Sequence, residues 1–195
     1  MKMKRIGLLL SVGALAIMTM GMLAGCGANL DREVTVQDMT IEVPGNWLES
    51  PDDDNDEARG TVSFTDEDED LDEDETGNSI TISYEKLTNK NRPSVAMEEA
   101  GTPMQSEAAA ALAQRRGELE REYGVSAWSI DEEESRVIDG AQVTTYEYSF
   151  VKDIEGVRRT YEYDIVYVVT PDMMYEILIV GDKVNAGALV DTIEF

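Results

Sequence analysis

The sequence of 195 residues is strongly acidic, because 41 Asp and Glu against 16 Lys and Arg give a formal net charge of −25. Such a charge opposes binding to nucleic acid, which requires a basic face, so no nucleic-acid partner is expected. Histidine is absent, which removes the commonest general base and a leading zinc ligand and excludes Ser-His-Asp and Cys-His catalytic arrangements.

The first 25 residues predict a cleaved export signal. Lys2, Lys4 and Arg5 form a positive start, and the run from Ile6 to Leu23 is apolar apart from small and hydroxyl residues. A positive patch, an apolar run and a small-residue cleavage site are typical of secretory signals. The run is close to the length of a membrane-spanning helix, about 20 residues, so an uncleaved N-terminal anchor is the alternative.

The end of the apolar run favours cleavage. Leu23-Ala24-Gly25-Cys26 resembles the lipobox of bacterial lipoproteins, in which a signal peptidase recognises the residues before the cysteine. The resemblance implies that Cys26 becomes the first mature residue and carries a diacylglyceryl group with palmitate-type chains. Cys26 is the only cysteine, so no intramolecular disulfide competes for its thiol. We therefore expect a lipid-anchored protein on the extracytoplasmic face of the cell membrane.

The remaining chain has the length of one domain. Residues 26–33 are short and polar and predict a tether, and residues 34–36 and 40–43 then alternate as strands do. Residues 52–75 hold fourteen carboxylates against a single base, Arg59. Because like charges at this density keep a chain extended, the sequence predicts acidic loops at about 52–60 and 65–78, separated by a strand at 61–64.

A strand at 79–84 is followed by two predicted helices, at 93–100 and 103–123. For the second helix, Thr102 is the expected N-cap, Pro103 suits the first helical position and Gly124 suits the C-cap. The solvent-exposed face of this second helix would include Arg115. Its apolar face would consist of Met104, Ala108, Ala111, Leu112, Leu119 and Tyr123.

The last third predicts four successive strands, at 127–137, 142–151, 158–169 and 174–180, and then a short helix at 185–193. Asp139-Gly140 indicates a tight hairpin, residues 154–156 a longer one, and Thr170-Pro171-Asp172 a turn. Hairpin connections predict an antiparallel sheet. With helices inserted before the hairpins and one appended after them, the predicted fold class is α+β.

Three segments resemble PsbP-like domains. Residues 41–47, Ile-Glu-Val-Pro-Gly-Asn-Trp, resemble their opening strand and proline turn; residues 137–141 are similar to their central hairpin, and residues 189–195 to their closing helix. The resemblance spans 34–195 and implies one antiparallel sheet sandwiched by helices, the fold of photosystem extrinsic proteins, a Ran-binding import factor and bacterial lipoproteins of unknown role. It implies partner binding rather than catalysis, and no catalytic residue is carried over, because the matching positions are turn and core residues.

No cofactor is expected, but an alternative function is that of a low-affinity calcium-responsive module that binds the ion weakly through the acidic loops. Calcium takes about six to eight oxygen ligands. The EF-hand pattern nevertheless fails, because Leu71 stands where its sharp-turn glycine belongs. The candidate ligands are Asp66, Asp68, Asp70, Asp72 and Asp74.

The sequence thus predicts a membrane-anchored extracytoplasmic lipoprotein that is not an enzyme and that serves as a binding or assembly module for an envelope protein. The remaining alternative is a carboxylate-dependent hydrolase of cell-wall glycans, since a pair of carboxylates can suffice for that chemistry. Such a hydrolase would have two carboxylates facing each other in a deep cleft.

Overall fold

The computed structural model describes residues 28–52, 54–66, 77–102, 104, 106–154 and 156–195. The predicted signal, the lipobox and most of the second acidic loop lie outside these ranges. In the part of the chain that is described, no helix is long and apolar enough to cross a membrane.

Among the described residues, nine strands form two antiparallel sheets. A two-stranded hairpin comprises β1 (Leu30–Val36) and β2 (Met39–Pro44). The larger sheet has the spatial order β3-β4-β5-β9-β8-β7-β6. Its strands are β3 (Leu48–Pro51), β4 (Arg59–Thr65), β5 (Ser79–Lys86), β6 (Ser126–Ile138), β7 (Ala141–Ile154), β8 (Val157–Val169) and β9 (Met173–Val180).

Each of the two long hairpins has a glycine with positive φ in its turn. Asp139 (φ 48) and Gly140 (φ 90) form the predicted tight turn between Ile138 and Ala141. The next hairpin is tighter than expected, because β7 and β8 pair up to Ile154 and Val157. Gly156 (φ 86) allows this turn, since glycine adopts positive φ without a steric cost.

One face of the larger sheet is covered by the β1–β2 hairpin and by α3 (Ala186–Val190). The side chain of Asn185 caps α3 by accepting a hydrogen bond from the Ala188 backbone N–H at 2.9 Å. Trp47 is only 2% exposed and packs in the core on this face. The covering layer is therefore a short helix together with a hairpin, because β1 and β2 pair with each other instead of extending the sheet.

The other face carries α1 (Pro93–Glu99) and α2 (Glu107–Tyr123). Ala108, Ala111 and Leu112 of α2 pack on aromatic side chains of β7 and β8. Gly124 ends the helix at φ 62, as predicted. The predicted N-cap Thr102 is wrong: Ser106 accepts the capping hydrogen bond from the Ala109 N–H, while the Thr102 N–H closes the end of α1 on the Met97 carbonyl.

Two further expectations need correction and one strand was not predicted, although the α+β class with an antiparallel sheet is confirmed. The predicted tether at 26–33 is shorter, because β1 already begins at Leu30 and Ala28 is hydrogen-bonded to Lys183. The edge strand β3 was not predicted, since its four exposed residues show no apolar alternation. Tyr123 was expected on the buried face of α2, but it is 55% exposed.

Candidate functional site

An open cleft of about 370 Å³ lies between the second half of α2 and the sheet, on the face that α2 covers. Its walls are mainly aromatic and aliphatic, and a single arginine supplies charge. We call it the aromatic cleft. It is lined by Gly77, Ser79, Arg115, Leu119, Tyr148, Phe150, Tyr163, Leu178 and Val180.

The charge at the aromatic cleft is an ion pair between α2 and β9. The Arg115 guanidinium donates to the Glu176 carboxylate, with Nη1 and Oε1 2.5 Å apart, and both side chains are about three-quarters buried. Burial alone would lower the pKa of Arg115, but the Glu176 carboxylate and the Tyr148 hydroxyl beside it raise it. Arg115 therefore stays positively charged. The carboxylate of Glu176 is engaged in the ion pair with Arg115 and is not free to act as a base.

A row of aromatic rings continues from the cleft across three strands. Trp128 of β6 stacks on Tyr148 of β7 with ring centroids 4.9 Å apart. Phe150 of β7 stacks on Tyr161 of β8 at 5.4 Å, and Tyr163 lies 5.7 Å from Tyr148. These side chains share one face because strand residues two apart point the same way. The row forms a stiff apolar wall, since aromatic pairs in this geometry stabilise each other.

Tyrosine hydroxyls in this region stay protonated at neutral pH. Burial raises the pKa of Tyr163 to about 12, with Tyr148 and Tyr161 adding to the effect. Burial also raises the pKa of Tyr148, although the neighbouring Arg115 acts in the opposite direction. The side chains of Tyr148 and Tyr163 are therefore neutral hydrogen-bonding groups.

A second, more polar groove of about 480 Å³ lies on the other side of the Arg115–Glu176 pair, over β4, β5 and β9. Hydroxyls line its floor: Thr61 and Ser83 are 3.1 Å apart across the strands. Asn55 closes one end by bonding both the N–H and the carbonyl of Thr61. Its remaining carboxylates belong to the first acidic loop and to β5, and this groove is open to solvent.

The predicted calcium ligands divide between described and undescribed residues. Asp66 is buried, and its carboxylate accepts a hydrogen bond from Lys183 Nζ at 2.7 Å. Asp68, Asp70, Asp72 and Asp74 lie outside the described residues, so a calcium site there stays a prediction. Among residues whose placement is described, no three or more acidic, Cys or His side chains gather closely enough to hold a metal ion.

In the first acidic loop, the carboxylates of Asp52 and Asp56 accept hydrogen bonds from backbone N–H groups two or three residues away. Asp56 accepts hydrogen bonds from the backbone N–H groups of Ala58 and Arg59, at 2.7 and 2.9 Å, and these bonds lower the pKa of Asp56. Asp52 accepts in the same way from the Asp54 N–H. These are turn-forming contacts, typical of Asp in loops.

The lipobox residues Leu23, Ala24, Gly25 and Cys26 are not among the described residues.

Sequence reasoning missed the aromatic cleft because it placed Arg115 in solvent. A signal was present, however: Arg115 follows Leu112 by three residues and precedes Leu119 by four, which puts all three on one helix face. A basic residue inside an apolar helix stripe indicates a specific partner. The partner, Glu176, is 61 residues away in the sequence and could not be identified from it.

With this geometry, the chain has a PsbP-like α+β fold, a class defined by its antiparallel sheet and covering helices. Cyanobacterial PsbP (CyanoP) from Synechocystis sp. PCC 6803 matches it with a TM-score of 0.55 over 89% of this chain and 97% of that chain, at 10% sequence identity. The Ran-binding protein Mog1p of Saccharomyces cerevisiae aligns over 84% of this chain and 94% of that chain, with a TM-score of 0.42 and 12% identity.

The likeness to cyanobacterial PsbP is one of fold alone, because the sequence identity is only 10%. No protein-family model matches the sequence, and no curated protein matches it. The architecture predicted from the segments at 41–47, 137–141 and 189–195 is nonetheless the one observed. Function therefore has to be argued from this chain's own residues.

Proposed function

We propose that this chain is a lipid-anchored extracytoplasmic protein whose PsbP-like domain is a non-enzymatic binding module for an envelope protein. The aromatic cleft is the binding site. The observation that carries this proposal is the composition of the cleft, which combines apolar walls, neutral tyrosine hydroxyls and an ion-paired arginine. Ligand sites are typically apolar with a few fixed polar groups, whereas catalysis by carboxylates would need a free acid or base here.

The anchor is supported by the lipobox and by the single cysteine. Cys26 lies two residues before Ala28, where the described fold begins with a hydrogen bond to Lys183. A diacylglyceryl group has two acyl chains, and two membrane signals are what stable attachment requires. The domain would then be held at the outer face of the membrane, where its envelope partner is encountered.

The cleft suits an apolar or aromatic side chain presented by the partner. Tyr and Trp are common in protein interfaces because one end of the side chain is apolar and the other forms hydrogen bonds. Tyr163 is half-buried in the cleft wall, and Trp128 is half-buried at the end of the aromatic row. Both can gain contacts when a partner covers them.

Photo-crosslinking in intact cells tests this proposal. Tyr163→p-benzoylphenylalanine places the crosslinker in the cleft, and Val137→p-benzoylphenylalanine is the control, since Val137 is 67% exposed on β6, away from the cleft. We expect a discrete protein adduct from position 163 and none from position 137. Equal adducts from both positions, or none from position 163 in membrane-bound protein, would show that the cleft is not the binding site.

A further inference from the structure

One end of the larger sheet carries the start of the described chain. The Ala28 N–H donates to the Lys183 carbonyl at 2.6 Å, and Lys183 follows the end of β9. Val180, the last residue of β9, pairs with Ser79 of β5 on one side and with Tyr163 of β8 on the other. We call this the proximal end of the sheet, because Cys26 is only two residues before Ala28.

The β7–β8 hairpin projects beyond the proximal end. β8 begins at Val157, whereas its pairing with β9 begins at Tyr163, so six residues of β8 extend past β9. At about 3.3 Å per residue this extension is roughly 20 Å long. The hairpin is therefore the part of the described fold that reaches farthest in this direction.

The projecting hairpin and the adjacent end of α2 expose apolar side chains beside basic ones. Val157 at its tip is 57% exposed, and Tyr123 at the end of α2 is 55% exposed. Lys152 Nζ lies 5.1 Å from the centre of the Tyr123 ring, and Arg158 is exposed next to Val157. Exposed aromatic and aliphatic groups flanked by Lys and Arg are typical of surfaces that lie at a membrane interface.

The link to the anchor is too short to keep this hairpin away from a bilayer. Cys26 and Ala28 are two Cα–Cα steps apart, with only Gly27 between them, so the link spans at most about 7 Å, against a projection of roughly 20 Å. With the proximal end facing the bilayer, the hairpin reaches the headgroups whenever the strands are inclined by more than about 20° to the bilayer plane. We propose that the tip of the β7–β8 hairpin, with Val157, Lys152 and Arg158, is a second membrane contact that seats the domain on the lipid headgroups.

Charge determines which part of the proximal end makes this contact. In the sequence, residues 67–76 after Asp66 hold eight carboxylates and no base, whereas residues 152–159 hold three bases and two acids. Negative charge is repelled by the phosphates of a bilayer surface, and nearby Lys and Arg are attracted to them. The hairpin tip is thus the favoured contact, and the proposal rests on the lipid anchor of the proposed function.

Single-site fluorescence tests the contact. Cys26 is the only cysteine. In the proposed lipoprotein its sulfur is blocked by lipid, so one introduced cysteine can be labelled alone. The lipidated Val157→Cys protein is labelled with a fluorophore and reconstituted into vesicles of phosphatidylcholine and the anionic lipid phosphatidylglycerol that contain a headgroup-nitroxide lipid. Val137→Cys is the matched control, because Val137 is also exposed and lies about 40 Å along the sheet, at the opposite end of β7.

We expect the nitroxide to quench the fluorophore at position 157 several-fold more than the fluorophore at position 137. Equal quenching at both positions, or none at 157 in vesicle-bound protein, would overturn the proposal while leaving the anchor intact. Failure of both labelled proteins to associate with vesicles would instead contradict the lipid anchor, and with it the membrane contact. Crosslinking of position 157 to wall polymer in cells, without quenching by vesicles, would also count against the bilayer as its partner.

Discussion

Replacing Cys26 by alanine is expected to abolish lipid labelling of the protein completely. The thiol of Cys26 is the only sulfur nucleophile in the chain that could receive a diacylglyceryl group. Each buried methylene contributes about 0.8 kcal/mol to membrane attachment, so the loss of two acyl chains removes the dominant attraction to the bilayer. The variant should appear in the soluble fraction, or remain as an unprocessed precursor that carries no lipid.

The measurement is incorporation of labelled palmitate, followed by fractionation of the cells. The matched control is Gly27→Ala, a change between small residues one position later, which should leave lipid labelling intact. Palmitate incorporation into the Cys26→Ala protein would show that the lipid is attached elsewhere.

Replacing Arg115 by methionine is expected to destabilise the domain by about 2 kcal/mol, below the 3–5 kcal/mol typical of breaking a fully buried ion pair. The change removes the partner of Glu176, whose side chain is 24% exposed and lies beside the buried Tyr167. An unpaired carboxylate in such surroundings loses solvation without compensation. Urea unfolding of the domain from Ala28 onwards measures the loss as a lower midpoint.

Two further variants show whether the ion pair causes the effect. The double variant Arg115→Met with Glu176→Leu should recover part of the lost stability, because replacing a buried pair with apolar groups is often neutral. Arg116→Met, at the next position of the same helix, should cost less than about 1 kcal/mol, because the Arg116–Glu120 pair is exposed. Equal losses for Arg115→Met and Arg116→Met would contradict a structural role for the pair with Glu176.

Elements with local signals could be predicted from the sequence. Asp139-Gly140 specifies its turn because both residues tolerate positive φ, and Gly124 ends α2 for the same reason. Alternation along β7, β8 and β9 correctly indicated hairpins, and hairpins imply an antiparallel sheet. Even where the boundaries moved, as at the N-terminus of α2, the reason was local, because Ser106 competes successfully with Thr102 for the cap.

Features that depend on distant pairing could not be predicted. β3 has no apolar pattern of its own, and it is a strand because Leu48 to Pro51 pair with β4. The ion pairs Arg115–Glu176 and Asp66–Lys183 join residues 61 and 117 positions apart. The aromatic cleft itself results from where α2 crosses β7 and β8, which the helix pattern alone does not determine.

The mass of the N-terminal peptide of the native protein, purified from membranes with detergent, is the most direct test of lipid anchoring. We expect a peptide that begins at Cys26 and carries a diacylglyceryl group on its sulfur. A peptide that still contains residues 1–25 and has a free thiol at Cys26 would contradict the anchor, and the proposed seating of the domain on the bilayer would be lost with it.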